Sequence, residues 1–402
     1  MPNINPEILS WARDSAGLTI DAAAEKLGLK EAKGLTPVER LSLLEDGEAS
    51  PTRAQLVKMA TAYRRPLLTF YLANPPVRAD RGEDFRTLPD GAHISENALV
   101  DALLRNVKAR QSMIKATLVE EGEEHPIATI GSMKIADGVK SVATSIEDTL
   151  QFRLDIYRQQ TADNAFTYLR TATEKIGVFV LLMGNLGSHH TAVSLQLFRG
   201  FAIADEVAPV VVINDQDART AWSFTLLHEL AHLWLGKSGV SGASPEAKIE
   251  KFCNDVASEI LLPAEDLAWF ENRSSSKDDL VADISEFATT RNVSHSMVAY
   301  KLFRADHIDH ETWISVSNLF RNQWIRNRNE TRERSRDAEG GPNYYVVKRH
   351  KIGSSLIKFT QRMLADGAIT TSKAGKILDI KPQNVHRLMA TENAAARPAL
   401  DS

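Results

Sequence analysis

The sequence predicts an α+β chain, mostly α-helical, with one small β-sheet. Apolar residues recur at helical spacing through most of its 402 residues, the period of amphipathic helices. Short β-branched runs cluster between residues 178 and 213, as in Val178–Met183 and Pro209–Ile213, which suits the strands of one small sheet. Hydrophobic residues make up 43% and charged residues 25%, so ordinary globular cores are expected, spread over roughly two to four domains.

Composition also excludes several classes. A net charge of −4 gives no global attraction to nucleic acid or to a membrane. The single cysteine, Cys253, allows no intrachain disulfide and fits a reducing compartment. The start MPNINPEILS has no basic-then-apolar pattern, and no apolar run reaches the roughly 20 residues that span a bilayer. The chain reads as soluble and cytoplasmic, with no membrane partner.

Residues 1–75 read as five short helices: Glu7–Ser15, Thr19–Leu27, Thr36–Asp46, Thr52–Tyr63 and Pro66–Tyr71. Gly28 and Gly47 end the second and third, and Pro37 takes a first-turn position. Ala24-x-x-Leu27-Gly28-Leu29, Glu45-x-Gly47 and Pro51…Leu56…Ala60 resemble the phage-repressor (Cro-type, or XRE) helix-turn-helix family. That family has a short turn, which Lys30–Leu35 lengthens here. Arg40 is the base-reading candidate this leaves. Nine Lys/Arg against nine Asp/Glu in this stretch make the module neutral. Phosphate neutralisation supplies much of DNA affinity, so DNA binding by this module alone should be weak. Protein contact or homodimerisation is the alternative use.

Residues 76–160 read as a helical connector. Pro75, Pro76 and Arg78–Asp84 mark a linker, and Asp84-Phe85-Arg86 an anchor against the next domain. Helices are expected over Glu96–Glu120 and Ser145–Tyr157, with Glu120–Pro126 as an acidic solvated loop between them.

The chemistry lies in residues 161–303. A helix over Asp163–Lys175 precedes three expected strands, Val178–Met183, Leu197–Ala204 and Pro209–Ile213. Asn214–Asp217 offer N-caps for a helix that carries His228-Glu229-x-x-His232 and ends at Gly236. Residues four apart share a helix face, so His228 and His232 can bind one zinc, with Glu229 beside them as general base. Two surface histidines on an ordinary helix would show the same three letters. After a Gly/Ser loop over Lys237–Ala243, Ser244 and Pro245 are an N-cap and a first-turn proline. They open a helix that stops at Pro263. Its stripe of Ile249, Phe252, Cys253, Val256, Ala257, Ile260 and Leu261 is the buried face, with Cys253 a core residue. Glu250 lies at the edge of that stripe and can reach a metal in an adjoining cleft. His228, His232 and Glu250 leave a fourth position open, as catalytic zinc requires. Asn254, one turn from Glu250, can hydrogen-bond a ligand imidazole.

Phe198-Arg199-Gly200-Phe201, the Val-Val-Val-Ile-Asn strand, Phe224–His232, and Glu250-x-x-Cys253-Asn254-x-x-Ala257-Ser258-Glu259-Ile260-Leu261-Leu262-Pro263 together resemble the ImmA/IrrE family of zinc metallopeptidases. Asn292–Leu302 is similar to the helix that closes the family's peptidase core. The family's last block usually has alanine at the position of Cys253 and Phe-Ala at Val256-Ala257, changes that leave the ligands intact. The resemblance implies a zincin-like domain of gluzincin type, with Zn2+ on His228, His232 and Glu250 and with Glu229 as catalytic base. It also implies a protein substrate, a helix-turn-helix repressor or antitoxin-like protein whose cleavage controls transcription. Substrate is expected to add as a strand to a sheet edge, Leu197–Ala204 or Val178–Met183. His189, His190 and His295 are oxyanion-stabilising candidates by residue type alone.

Residues 304–389 form a C-terminal region. His307 and His310, with Asp306 and Asp309, read as a solvated loop. Arg321–Lys351 holds nine Lys/Arg and four Asp/Glu and is broken at Gly340-Gly341-Pro342. Gly367–Leu388 reads as a second helix-turn-helix, with Asp379 in place of the usual turn glycine. Gln383, Asn384 and Arg387 are of types that read base edges, so this region is a second candidate for DNA contact. The alternative is a helix pair packed on the peptidase domain. Residues 390–402 look like a disordered tail. The rival to a peptidase is a non-hydrolytic DNA-binding regulator or antitoxin that uses the peptidase fold as a sensor.

Overall fold

The computed structural model describes residues 4–76, 83–84, 94–188, 191–241, 248–271, 276–336 and 343–390. The chain forms two compact units. The first comprises Met1–Arg81, Leu88–Asn106 and Asn185–Leu197, and the second Gly82–Thr87, Val107–Gly184 and Phe198–Ser402.

In the first unit, helices α1 (Pro6–Ser15), α2 (Ile20–Lys26), α3 (Pro37–Glu45) and α4 (Arg53–Ala62) and a 3-10 turn (Leu67–Tyr71) stand where the sequence places them. Thr36 with Glu39, and Thr52 with Gln55, form capping boxes that satisfy the first amides of α3 and α4. Ile8, Leu9, Leu41, Leu56, Tyr63 and Phe70 make the core. The Lys30–Leu35 extension is a two-residue turn: Ala32 and Leu35 exchange amide–carbonyl bonds of 3.2 and 3.1 Å around Lys33 and Gly34, both at positive φ. Arg40 Nη1 donates to the Lys30 carbonyl, so the expected base-reading side chain is bonded to this extension.

Strand β1 (Glu83–Asp84) belongs to the second unit, and α5 (Ile94–Glu120) has residues in both. The single helix expected over Ser145–Tyr157 is two, α6 (Val139–Leu150) and α7 (Leu154–Arg158). Gln151 ends α6 at φ 50°, a left-handed cap that periodicity alone does not reveal. Helix α8 (Ala162–Lys175) leads into β2 (Phe179–Leu182), β3 (Gly200–Ile203) and β4 (Val210–Ile213), and α9 (Arg219–Trp234) comes next. The expected Gly/Ser loop contains β5 (Gly239–Ser241). The Ser244 and Pro245 caps lie outside the described residues. Then come α10 (Lys248–Leu261), α11 (Lys277–Arg291), α12 (His295–Arg304), α13 (His310–Arg336), α14 (Tyr344–Ile352), α15 (Ser354–Ala365), α16 (Thr371–Leu378) and α17 (Val385–Ala390). His310 therefore opens a helix and packs on Phe303 and Trp313. The Phe85-Arg86 anchor, the Gly340–Pro342 break and the tail from 391 lie outside the described residues. No helix among the described residues is long and apolar enough to cross a membrane.

The sheet order is β1-β5-β3-β4-β2. Strand β3 is antiparallel to both β4 and β5, and the β4–β2 and β5–β1 pairs are parallel. This corrects the expected substrate edges. Leu197–Ala204 supplies an inner strand, paired on both sides. Strand β2 is an outer strand, but its Val180 carbonyl accepts Arg170 Nη2 and faces the turn at Gly353, where a Cβ would lie 2.9 Å from it.

One face of the sheet carries α9, which is buried on nearly all sides from Ala221 to Trp234. A helix apolar all round belongs in a core, and each of Leu226, Leu227, Leu230 and Leu233 stabilises by about 1.5–3 kcal/mol on burial. Its C-terminus is tied twice. Lys237 N donates to His232 O and Gly236 N to Leu233 O, both at 2.9 Å, a Schellman closure around Gly236 at φ 65°. Gly131 N donates to the same Leu233 carbonyl at 2.9 Å, and a Cβ on Gly236 would stand 3.0 Å from Gly131 Cα. Gly236→Ala should therefore cost about 1–2 kcal/mol from the left-handed backbone alone, read as a lower urea midpoint at unchanged slope.

Candidate metal centre

The candidate metal centre is built from two helices that meet in the core. On α9, the four-residue spacing brings His228 and His232 together edge to face, with ring centroids 4.8 Å apart. On α10, the apolar stripe turns Phe252, Cys253, Val256, Ala257, Ile260 and Leu261 into the core. That orientation carries Glu250, one step off the stripe, against the imidazoles. His228 Nε2 lies 3.1 Å from His232 Nε2 and 3.3 Å from Glu250 Oε2, and His232 Nε2 lies 2.9 Å from Glu250 Oε1. Glu229 is fully buried, and the other three are at most 4% exposed.

The donor set fits zinc. Ligand atoms about 2.0–2.2 Å from a tetrahedral ion lie about 3.3 Å from one another, close to the separations seen. Two imidazole nitrogens and a carboxylate, with no fourth protein donor among the described residues, match an open site rather than a closed structural one.

The electrostatics are those of a small buried cluster. Burial opposes ionisation of Glu250, yet the charges and hydrogen bonds of His228 and His232 outweigh it and hold its carboxyl down at about 2. Burial likewise opposes protonation of His228, but Glu250, Glu229 and the Asn254 side chain together raise its pKa. Asn254, one turn along α10, is thus among the groups that act on the His228 imidazole. Burial pushes the Cys253 thiol well up, with Glu250 and Glu229 adding to the effect, so this cysteine is a core residue and not a ready thiolate ligand.

The other expected site residues lie elsewhere. Gln383 and Arg387 are exposed and Asn384 is half-buried, all within the turn and helix that come after α16. Asp379 adopts the left-handed conformation expected of it, at φ 53°. Arg387 lies over the Tyr345 ring at 4.8 Å. His295 stacks on Phe320 at 4.7 Å and is not in the metal-type group. His189 and His190 lie outside the described residues.

Two features of the site escape the sequence reading. Gly200 on β3 approaches Glu229 so closely that a Cβ there would lie 2.6 Å from Oε1. Its signal was a glycine inside a strand, which marks a close backbone approach. The expected N-caps of α9 are also displaced. The cap position is Ala218, with no side-chain bond. Asn214 instead accepts from Gln216 N at 3.0 Å and donates to Phe198 O at 2.9 Å. From the C-terminal helices, Lys351 Nζ reaches Asp215 at 2.5 Å and Arg328 donates to Gln216 at 2.6 Å.

Zinc and protons compete for the same nitrogens, so zinc affinity measured against a chelator should fall as pH is lowered. Because His228 has a raised pKa, the fall should begin above 6.5, the ordinary imidazole value. Asn254→Ala should weaken zinc about tenfold or more while the fold persists by circular dichroism.

No curated protein and no solved structure matches the chain. Residues 175–303, from the end of α8 into α12, match the family model of the IrrE N-terminal-like domain, Peptidase M78, a metallopeptidase-type family that is generally zinc-dependent.

Proposed function

We propose that this chain is a zinc-dependent metalloendopeptidase whose substrate is a helix-turn-helix repressor or antitoxin-like protein, so that cleavage controls transcription. The observation that carries the chemistry is the convergence of His228, His232 and Glu250 within hydrogen-bond distance of one another, beside the buried Glu229. The substrate class rests on the ImmA/IrrE resemblance of residues 175–303 and on the repressor-like sequence of the first 75.

His228, His232 and Glu250 would hold the zinc, with Asn254 fixing the His228 ring. A zinc ion there supplies a Lewis acid that polarises a peptide carbonyl and acidifies water. Glu229 accepts a proton from the attacking water as its oxygen bonds to the carbonyl carbon. It then delivers that proton to the departing nitrogen as the C–N bond breaks. The dry surroundings strengthen each of these charge interactions.

A second reading is a non-hydrolytic DNA-binding regulator or antitoxin. The exposure of Gln383 and Arg387 on the C-terminal turn and helix favours it, as does the basic composition of Arg321–Lys351. Against it, Arg40 is bonded to a backbone carbonyl and the first 75 residues carry no net charge. DNA contact, homodimerisation and a cytoplasmic location remain parts of this proposal.

The test is the fate of a helix-turn-helix protein encoded beside this one, co-expressed with wild type or with Glu229→Gln. Wild type should cleave it, and Glu229→Gln should bind zinc at the same stoichiometry with cleavage reduced about 10²–10⁴-fold. Full proteolysis by Glu229→Gln would overturn the mechanism. A mobility shift on the protein's own promoter region, with wild-type zinc content and no cleavage, would favour the second reading.

A further inference from the structure

Strand β3 starts at Gly200, which stands directly against the HExxH helix. A Cβ at this position would lie 2.6 Å from Glu229 Oε1, 3.1 Å from Glu229 Cδ and 2.8 Å from Thr225 Cγ2. Contacts under about 3 Å are repulsive for carbon, so a Cβ at position 200 and the Glu229 carboxylate cannot both hold these places. A side chain here fits only if the Glu229 or Thr225 side chain gives way.

The strand has no freedom to retreat. Gly200 is opposite Ile213 of β4 on one side and Ser241 of β5 on the other. Just before it, Arg199 O accepts from Asn214 N at 2.8 Å and Phe198 O accepts from Asn214 Nδ2 at 2.9 Å. Just after it, Phe201 is fully buried and packs on Phe198, with ring centroids 5.6 Å apart. Helix α9 is equally fixed by its burial and its Schellman closure. Between two immobile backbones, the Glu229 carboxylate is the far end of a flexible side chain and is the group that must yield.

Resting on the peptidase reading above, we propose that Gly200 is a positioning residue: its bare Cα forms the wall that keeps the Glu229 carboxylate in its working place beside His228. This gives a role to the glycine of Phe198-Arg199-Gly200-Phe201, to which neither the ligand set nor the base assigns one. A methyl group at this position meets the Glu229 and Thr225 side chains first, so it displaces the base while leaving the zinc ligands on α9 and α10 where they are.

The probe is acetohydroxamic acid binding to the zinc-loaded full chain by calorimetry, with zinc content and circular dichroism measured in parallel. A hydroxamic acid binds a metal best as its anion, so its affinity reports a carboxylate placed to take its proton without requiring any substrate. Glu229→Gln should weaken binding at least tenfold at unchanged zinc content. Gly200→Ala should do the same, with wild-type zinc content and helicity. The double variant Gly200→Ala with Thr225→Ser, which removes the other crowded methyl, should stay as weak as Gly200→Ala. Wild-type affinity in Gly200→Ala, its restoration by Thr225→Ser, or loss of zinc or helicity in Gly200→Ala would each overturn the role given to Gly200. Undiminished binding by Glu229→Gln would instead overturn the reading of Glu229 as the base.

Discussion

Two imidazole nitrogens and both oxygens of one carboxylate meet in the second unit's core at separations of 2.9–3.3 Å. Such a cluster does not assemble by itself. Taking charged groups out of water costs several kcal/mol per ion, and mutual attraction offsets that only when the geometry is held. The surrounding structure is the means of holding it. Helix α9 is buried on nearly every side, α10 inserts a continuous apolar stripe, and together they leave Glu250 no solvent to turn towards. The depressed carboxyl of Glu250 and the raised pKa of His228 are two sides of that enforced proximity.

Both ends of α9 are fixed by parts of the chain remote in sequence. Its C-terminus is closed by Gly236, with Gly131 and Met133 donating to the last carbonyls. The loop before its N-terminus, residues 214–217, is gripped by Lys351 of α14 and Arg328 of α13. The α14–α15 turn is in turn pinned by α8. Arg170 Nη1 donates to His350 O at 2.5 Å, and Glu174 accepts from Ser354 Oγ at 2.6 Å. Arg170 and Glu174 are themselves a buried pair, so loss of either partner would leave an uncompensated charge in the core. The basic helices of the C-terminal region thus brace the loop that leads into the helix with the candidate ligands.

Much of this was legible beforehand, for reasons that are local. His228 and His232 are four residues apart, and helical geometry alone puts them together. Glu250 was readable because its stripe was unbroken, so the buried direction of α10 was known before its partner was. The Asp379 turn came from the tolerance of aspartate for left-handed backbone. By contrast, the break at Gln151 was hidden because α6 and α7 continue one apolar period through it. Strand β5 was hidden because Gly239–Ser241 has a single β-branched residue, Val240, between a glycine and a serine, and is held extended by pairing with β3 and β1. Missing β5 made β3 look like an edge, and the displaced caps of α9 arose because Asn214 is used by Phe198 instead.

The sequence by itself determined the types of the candidate ligands, their spacing along two helices and the candidate base between two of them, since these depend on helical period and the chemistry of imidazole and carboxylate. Only the tertiary structure decided what surrounds them. It set which strand is inner, which C-terminal cations hold the loop before α9, and that a side chain at position 200 would run into Glu229. Each of these is a contact between residues far apart in the chain. Periodicity has no term for such contacts, because the pairing of strands and the packing of helices fix them only when the whole core closes.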